Sequence, residues 1–166
     1  MSEEGAARSA DPSGPPVVFV DADACPVKPE ILKVAGRHEL EVILVSNGGL
    51  RPTRDPKVRN VIVSDGFDAA DDWIADNAAS GDIAVTADVP LAVRLVEKGV
   101  VVLDPKGRPL GKDNIGMASA MRNLNQDLRE AGVISGFNAP FSQRDRSAFL
   151  QAMDKAVRHA MNSRKA

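Results

Sequence analysis

Short apolar runs alternate with helical segments along most of the chain. Five runs are rich in Val, Ile and Leu, and each has about the length of a β-strand. They are PVVFVD (16–21), LEVILVS (40–46), NVIVS (60–64), DIAVTA (82–87) and VVVLD (100–104). Because their apolar positions are nearly continuous, both faces of each strand are expected to be buried, as in a parallel sheet that is covered by helices on both sides.

The segments between and after these runs have helical patterns. They are PEILKVAGRHE (29–39), FDAADDWIADNAA (67–79), VPLAVRLVEKG (89–99), 113–132 and 142–162. The alternation predicts an α/β fold of three layers, with a parallel sheet of about five strands, helices on both faces and a helical C-terminus. Residues 1–15 are small, polar and Pro-containing, so we expect a disordered tail followed by a single domain over 16–162.

Composition narrows the functional classes. The chain of 166 residues has a formal net charge of -2, so no global field attracts it to polyanions or membranes. A single Cys excludes an intramolecular disulfide, and no apolar run approaches the roughly 18 residues that span a bilayer. The first residues lack the apolar stretch of a signal peptide. These features predict a cytoplasmic protein that does not bind membranes.

Aspartates follow four of the predicted strands. In chain order they are Asp21 with Asp23, Asp65, Asp88 and Asp104. The carboxyl ends of parallel strands share one edge of a sheet, where ligands bind, so these acids are expected to gather there. Asp21 and Asp23 would point to the same side if the chain stays extended through Ala22. For any single Asp, a role in a turn or helix cap is an equally good interpretation.

The helix predicted after the third strand adds a further acid. On a helical wheel, Asp71 lies at the edge of an apolar stripe, beside Ile74 and Ala78. The same wheel places Asp72 and Asp76 on the opposite, solvated face, together with Asp68. A carboxylate that is turned toward other carboxylates is unfavourable unless a cation joins them. Asp71 is therefore predicted to belong to the acidic site.

Carboxylates without His or Cys partners favour a hard cation, Mg²⁺ or Mn²⁺. The two histidines, His38 and His159, fall in predicted surface helices, which disfavours a zinc site. The predicted metal ligands and catalytic residues are Asp21, Asp23, Asp71 and Asp88. Such a cluster suits metal-assisted hydrolysis of phosphoryl or phosphodiester bonds.

Basic residues are concentrated in three short segments, 47–59, 106–108 and 144–146. The segment NGGLRPTRDPKVR (47–59) carries Arg51, Arg54, Lys57 and Arg59, which could bind the phosphates of a polynucleotide beside the strand ends. A solvated surface loop is an equally good interpretation, and the segment contains no aromatic residue for base stacking. Lys106-Gly107-Arg108 has the pattern of a turn. Arg144 and Arg146 flank Asp145, which favours salt bridges at a helix start.

Four motifs together resemble the uncharacterised YaiI/YqxD bacterial family, over residues 17–155. They are VDADACPVKPEI, GFDAADDWIA, VTADVPLA and FSQRDRSAFLQAMD. That family is grouped with PIN-like domains, most of whose known members are metal-dependent ribonucleases. The resemblance implies that Asp21 closes the first strand, that Asp71 is the helical acid and that Asp88 ends the T-x-D motif of the site. It also implies a substrate of RNA or single-stranded nucleic acid.

Two other functions remain open. A glutamate often found mid-chain in PIN nucleases has no counterpart here, so a PIN-like module that only binds nucleic acid or protein is one alternative. A haloacid-dehalogenase-type phosphatase also begins with D-x-D after its first strand, and VSNG (45–48) resembles its second motif. Against it, Cys25 occupies the usual Thr or Val position, and Gly81-Asp82 opens a strand where that class closes one. Cys25, next to Pro26, is interpreted as a packing residue.

Overall fold

The computed structural model describes residues 3–4, 14–48, 54–63, 69–111 and 142–165. The strands within them are β1 (Glu3–Glu4), β2 (Val18–Asp21), β3 (Val42–Ser46), β4 (Val58–Ile62), β5 (Ile83–Val85), β6 (Val101–Leu103) and β7 (Pro109–Leu110). The α-helices within them are α1 (Lys28–Arg37), α2 (Ala69–Asn77), α3 (Val89–Lys98) and α4 (Gln143–Lys165), and a 3-10 turn spans Ala22–Ala24. The predicted helix over 113–132 lies outside the described residues.

The strands described here form one sheet in the order β1-β4-β3-β2-β5-β6-β7. All neighbouring strands are parallel except β6 and β7, which are antiparallel. The prediction of an α/β fold with five parallel strands is confirmed, and the predicted bounds of those strands differ by no more than two residues at either end. Two short strands were not predicted: β7, and β1 at Glu3–Glu4 within the predicted tail.

Helices cover both faces of the sheet, as predicted. On one face, α1 and α4 pack on even-numbered positions of β2 through side chains that include Ile31, Val34, Phe149 and Met153. On the other face, α2 and α3 pack on Phe19 and its neighbours through side chains that include Trp73, Ile74, Leu91 and Leu95. Odd-numbered positions of β2 therefore point toward α2 and α3. Asp21 follows Phe19 with this same parity, so the strand directs it to the α2/α3 side.

The C-terminal helix α4 runs alongside α1. Near its start, Arg146 donates to Glu30 Oε1 at 2.6 Å and to the carbonyl of Pro26 at 3.1 Å, just before α1 begins. Further along, Asp154 Oδ1 lies 2.8 Å from Nε2 of His38, just after α1 ends. The first turn of α4 is capped reciprocally, because Ser142 N–H donates to Asp145 and Asp145 N–H donates to Ser142 Oγ. The salt bridge predicted at this helix start thus reaches across to α1.

A buried carboxylate joins β2 and β5 at their amino ends. Asp82 is fully buried, and its Oδ1 accepts a hydrogen bond from Val17 N–H at 3.0 Å. Its Oδ2 accepts from Ala79 N–H at 2.9 Å. Both oxygens are thus used by backbone donors, which also fixes the turn that leads from α2 into β5.

We expect Asp82→Asn to destabilise the protein by about 2 kcal/mol, because the new amide N–H₂ must face one of two buried N–H donors. For a chain of this size the midpoint of thermal denaturation should fall by about 4–8 °C. Asp76→Asn, at an exposed position of α2, is the matched control and should change stability by less than about 0.5 kcal/mol. Equal stability of the two variants would contradict the structural role of Asp82.

Candidate active site

The strand order reverses between the paired strands β2 and β5. The acidic crevice is the region at the carboxyl ends of these two strands. From β2 the chain moves outward to β3 and β4, and then returns to build β5 and β6 on the other side of β2. Sheets of this kind bind ligands at the carboxyl ends of the strands where the order reverses. Asp21 is the last residue of β2, and the Thr86-Ala87-Asp88 segment directly follows β5. Two of the predicted site acids therefore meet at this crevice.

One buried hydroxyl connects these two acids. Thr86 is only 2% exposed. Its Oγ1 donates to Asp21 Oδ2 at 3.2 Å and accepts from the backbone N–H of Asp88 at 3.0 Å. Asp88 in turn caps α3, because its Oδ1 accepts from Leu91 N–H at 3.0 Å. Thr86 therefore holds the Asp21 carboxylate in place relative to the turn that carries Asp88.

The Asp21 carboxyl group has a perturbed pKa. Burial raises its pKa above the ordinary value of 3.8. The hydrogen bond from Thr86 acts in the opposite direction, whereas the negative charges of Asp23 and Asp88 raise the pKa further. The ionised state of Asp21 is therefore disfavoured by its surroundings, and a bound cation would reverse that preference.

Asp23 does not follow Asp21 along an extended strand. Residues Ala22–Ala24 form a 3-10 turn, so the condition for both acids to point to the same side, an extended chain through Ala22, is not met. Asp23 is exposed, and its two carboxylate oxygens lie 3.1 Å and 3.3 Å from the backbone N–H nitrogen of Asn47. It thus ties the 3-10 turn to the end of β3. Its charge still acts on Asp21 from this position.

The acids of α2 follow the helical-wheel prediction. The chain leaves β4 at its carboxyl end and enters β5 at its amino end, so α2 begins at the carboxyl edge. Asp71 lies in its first turn and is half-buried, whereas Asp72 is exposed and forms an ion pair of 2.8 Å with Arg94 of α3. The distance of Asp71 from Asp21 and Asp88 stays a prediction. Asp65 and Asp68 lie outside the described residues.

The donors at the Asp21–Asp88 turn are carboxylate oxygens, the type of ligand that hard divalent cations prefer. Asp21 Oδ1 and Asp88 Oδ2 accept no hydrogen bond from the described part of the chain. Among the described residues, no three His, Cys, Asp or Glu side chains are grouped so that they could hold a metal together. Mg²⁺ commonly retains several waters and uses only one or two carboxylates. A hydrated ion on Asp21 and Asp88 is therefore compatible with these donors.

Two residues of the basic segment, Lys57 and Arg59, lie away from the acids. The Lys57 carbonyl accepts from the N–H of Val42, the first residue of β3, and Arg59 lies inside β4, paired with Ile43. Lys57 is therefore at the amino edge of the sheet, and the prediction that the segment lies outside the sheet is wrong for Arg59. The physical reason is that a connection between parallel strands must return from the carboxyl edge to the amino edge. Arg54 precedes Lys57 by three residues, and Arg51 lies outside the described residues.

Two other candidate features have structural roles. Cys25 is buried in the core under α1 and α4, and burial raises the pKa of its thiol, which agrees with its interpretation as a packing residue. Gly81-Asp82 precedes β5 at the amino edge, opposite to the edge that carries Asp21. The second acid of a dehalogenase-type site is thus not supplied by Asp82.

Comparison with known proteins shows the family. A profile described as DUF188, uncharacterized BCR, YaiI/YqxD family, matches residues 19–159. A UPF0178 protein of Rhizobium meliloti is 66% identical over 142 residues, which cover 86% of this chain and 97% of that protein. UPF0178 proteins of Agrobacterium fabrum and Mesorhizobium japonicum are 65% and 58% identical, over 86% and 89% of this chain and 94% and 96% of their own lengths.

The protein is thus an α/β protein with a mostly parallel sheet and an acidic crevice at the point where its strand order reverses. It belongs to the uncharacterised YaiI/YqxD family. No solved structure matches the chain significantly. None of the helices within the described residues combines the length and the apolar character that crossing a bilayer requires.

The raised pKa of Asp21 predicts a pH-dependent stability of the metal-free protein. A raised pKa means that the native state binds the proton more tightly than the unfolded state, so stability is lost as pH rises through the native pKa. Asp21→Asn cannot ionise, and its amide oxygen can still accept the Thr86 hydrogen bond. With a chelator present at about pH 7, the variant should be more stable, by less than about 1 kcal/mol because water reaches part of the site.

Thermal denaturation of wild type and Asp21→Asn between about pH 3 and pH 8 checks this prediction, because the advantage of the variant should vanish below the ordinary Asp pKa. Asp76→Asn, which removes an exposed charge, should show no such pH-dependent gain. If Asp21→Asn is less stable than wild type at neutral pH, favourable interactions already stabilise the ionised Asp21, and the prediction is wrong.

Proposed function

We propose that this protein is a Mg²⁺- or Mn²⁺-dependent hydrolase of phosphodiester bonds in RNA or single-stranded nucleic acid. The observation that carries the proposal is the half-buried Asp21 carboxylate at the strand-order reversal, hydrogen-bonded by Thr86 and within electrostatic reach of Asp23 and Asp88. Repulsion between neighbouring carboxylates does not stabilise the folded protein. A catalytic metal site, however, needs carboxylates close together, and perturbed pKa values are concentrated at such sites. Membership of the PIN-like group, which the sequence motifs imply, supports the same chemistry.

Asp21 and Asp88 would hold the cation in this proposal, and Asp71 would approach it from the first turn of α2. A bound divalent cation supplies an activated water and stabilises charge on the leaving oxygen. Thr86 keeps Oδ2 of Asp21 engaged and leaves Oδ1 without a hydrogen bond from the described residues. The α3 cap fixes Asp88 in the same way, because Leu91 N–H occupies only Oδ1.

Asp23 contributes differently from the other three acids. Its oxygens are engaged by the N–H of Asn47, and its negative charge raises the affinity of the crevice for a cation from an exposed position. It therefore serves as a further ligand through water or as an orienter of water. Its contact with Asn47 also keeps the turn after Asp21 close to the end of β3.

A second candidate function is binding without turnover. It is favoured by the lack of a grouping of three potential ligands among the described residues, since two carboxylates can hold a hydrated ion without supporting hydrolysis. In that case the crevice would bind a cation as part of a nucleic-acid or protein binding surface. Binding of a polynucleotide without cleavage in any divalent metal would identify this function.

The position of Asp71 allows a test with an adjacent control. We expect Asp71→Asn and Asp21→Asn to reduce Mn²⁺-dependent cleavage of a labelled mixed-sequence RNA by more than about 100-fold, since even changes to groups that support metal ligands cost about 10–100-fold. Asp72→Asn should retain activity, because it loses only the exposed ion pair with Arg94, which is worth about 1 kcal/mol or less.

The same assay is run with Mn²⁺, with Mg²⁺ and with a chelator, and each variant is checked for unchanged folding by its thermal midpoint. Equal loss of activity in the Asp71 and Asp72 variants would show that the face of α2 was assigned incorrectly. A wild-type protein that cuts no RNA or single-stranded DNA in either metal would refute the hydrolase.

A further inference from the structure

The carboxyl edge of the sheet also carries cationic side chains beyond the acidic crevice. They come from the turn after β6 and from the first turn of α4, two segments whose sequence patterns suggested only a turn and a helix-start salt bridge. The basic residues Lys57 and Arg59 lie away from this edge, in the amino-terminal part of β4 and before it. Among the described cations of the 47–59 segment, Lys57 and Arg59 are therefore not beside the acids.

The turn after β6 is rigidly built at the carboxyl edge. Asp104 follows the last residue of β6, and its Oδ1 accepts the backbone N–H groups of Lys106 and Arg108, each at 2.9 Å. Gly107 N–H donates to the Asp104 carbonyl at 2.9 Å. These bonds place Lys106 in an exposed position of the turn. β6 is the second strand from β2 in the sheet, so the two strands lie about 10 Å apart.

The first turns of α4 pack directly against this turn. A Cβ atom at Gly107 would lie 3.2 Å from Phe149 Cα and 3.0 Å from Ala152 Cβ, and the positive φ of 86° there also favours glycine. The charges of Lys106 and Arg144 both lower the pKa of Asp145, which agrees with this packing. The start of α4, with Arg144, therefore lies near the turn that carries Lys106.

The opposite side of the α4 start reaches the turn that follows Asp21. Arg146 donates to the Pro26 carbonyl at 3.1 Å, two residues after the 3-10 turn ends. The surface formed by the turn after β6 and the start of α4 is thus continuous with the residues that follow Asp21. It forms the α4 side of the carboxyl edge, whereas Asp21 and Asp88 are directed to the α2/α3 side.

The ion pairs show which of these cations are available to a ligand. Arg146 is engaged by Glu30 at 2.6 Å, and Arg108 by Asp104 at 3.3 Å. Lys106 and Arg144 are exposed, and neither forms an ion pair within the described part of the chain. Of the acids nearby, Asp104 is paired with Arg108, and Asp145 already accepts the N–H of Ser142. Two cations thus face solvent at this position.

We propose that Lys106 and Arg144 bind backbone phosphates of a single-stranded polynucleotide and guide it across the carboxyl edge to the acidic crevice. The inference rests on the proposed function, because it assigns the substrate-binding surface of that same site. Phosphate contacts of this kind position the strand and carry no base preference.

The test is binding of a fluorescent single-stranded RNA of about 16 nucleotides to the full chain, in chelator, as a function of salt. Replacing both residues, Lys106→Ala with Arg144→Ala, should weaken binding about tenfold. The slope of log affinity against log salt should fall by about 1.4, since each lost phosphate contact contributes about 0.7. A DNA of the same sequence should behave alike, because the phosphodiester backbone is common to both.

The matched control is Arg54→Ala with Lys57→Ala, which removes one exposed Arg and one exposed Lys near the amino edge. It changes the net charge by the same amount as the Lys106/Arg144 variant. Because its two residues lie away from the proposed surface, it should leave affinity and salt slope within about twofold of wild type. Equal losses in both variants, no loss in the Lys106/Arg144 variant, or a wild type that binds neither strand would each overturn the proposal. Because the binding assay contains no metal, its result does not depend on cleavage. A wild type that binds in chelator but cleaves nothing in Mn²⁺ or Mg²⁺ would refute the hydrolase and leave this surface standing.

Discussion

The pairing of β2 with β5 determines both the fold and the candidate site. The order of the strands reverses at this pair, and side chains connect the two strands at both ends. At the amino end, buried Asp82 accepts the N–H of Val17, and at the carboxyl end Thr86 donates to Asp21. The first contact is buried and has only a structural role, whereas the second is partly open to the crevice. The same pair of strands thus carries one acid for stability and another acid that is available for chemistry.

The fold and two of the site acids could be predicted because they follow from local patterns. Nearly continuous apolar runs specify buried parallel strands, and an Asp at the end of such a strand must lie at the carboxyl edge, which placed Asp21 and Asp88. The orientation of Asp23 could not be predicted, because a 3-10 turn interrupts the strand alternation after Asp21. The roles of Thr86 and Asp82 depend on partners 65 residues away. The Thr-x-Asp spacing was the only local signal for Thr86.

The distribution of charge resolves a difficulty in the proposed chemistry. A crevice with several carboxylates repels phosphates, and the net charge of -2 offers no general attraction for a polyanion. Local separation of charge provides an alternative. The acids Asp21 and Asp88 lie on the α2/α3 side of the carboxyl edge, and the exposed cations Lys106 and Arg144 lie on its α4 side. A phosphate within the Debye length of about 8 Å at physiological salt would still be attracted to these cations. A cation in the crevice would remove the remaining repulsion where the strand meets the acids.

Placing Arg144 at this edge requires the docking of α4, which no local pattern of sequence reveals. The helix is positioned by buried Phe149 and Met153, by the Glu30–Arg146 ion pair and by the His38–Asp154 contact. Both polar contacts join residues 116 positions apart, one near each end of α1. They determine the position of α4 along α1 as well as its packing against the sheet. Since a shift of one helical turn is about 5.4 Å, a loss of this registration would carry Arg144 away from Lys106 while leaving the helix itself intact.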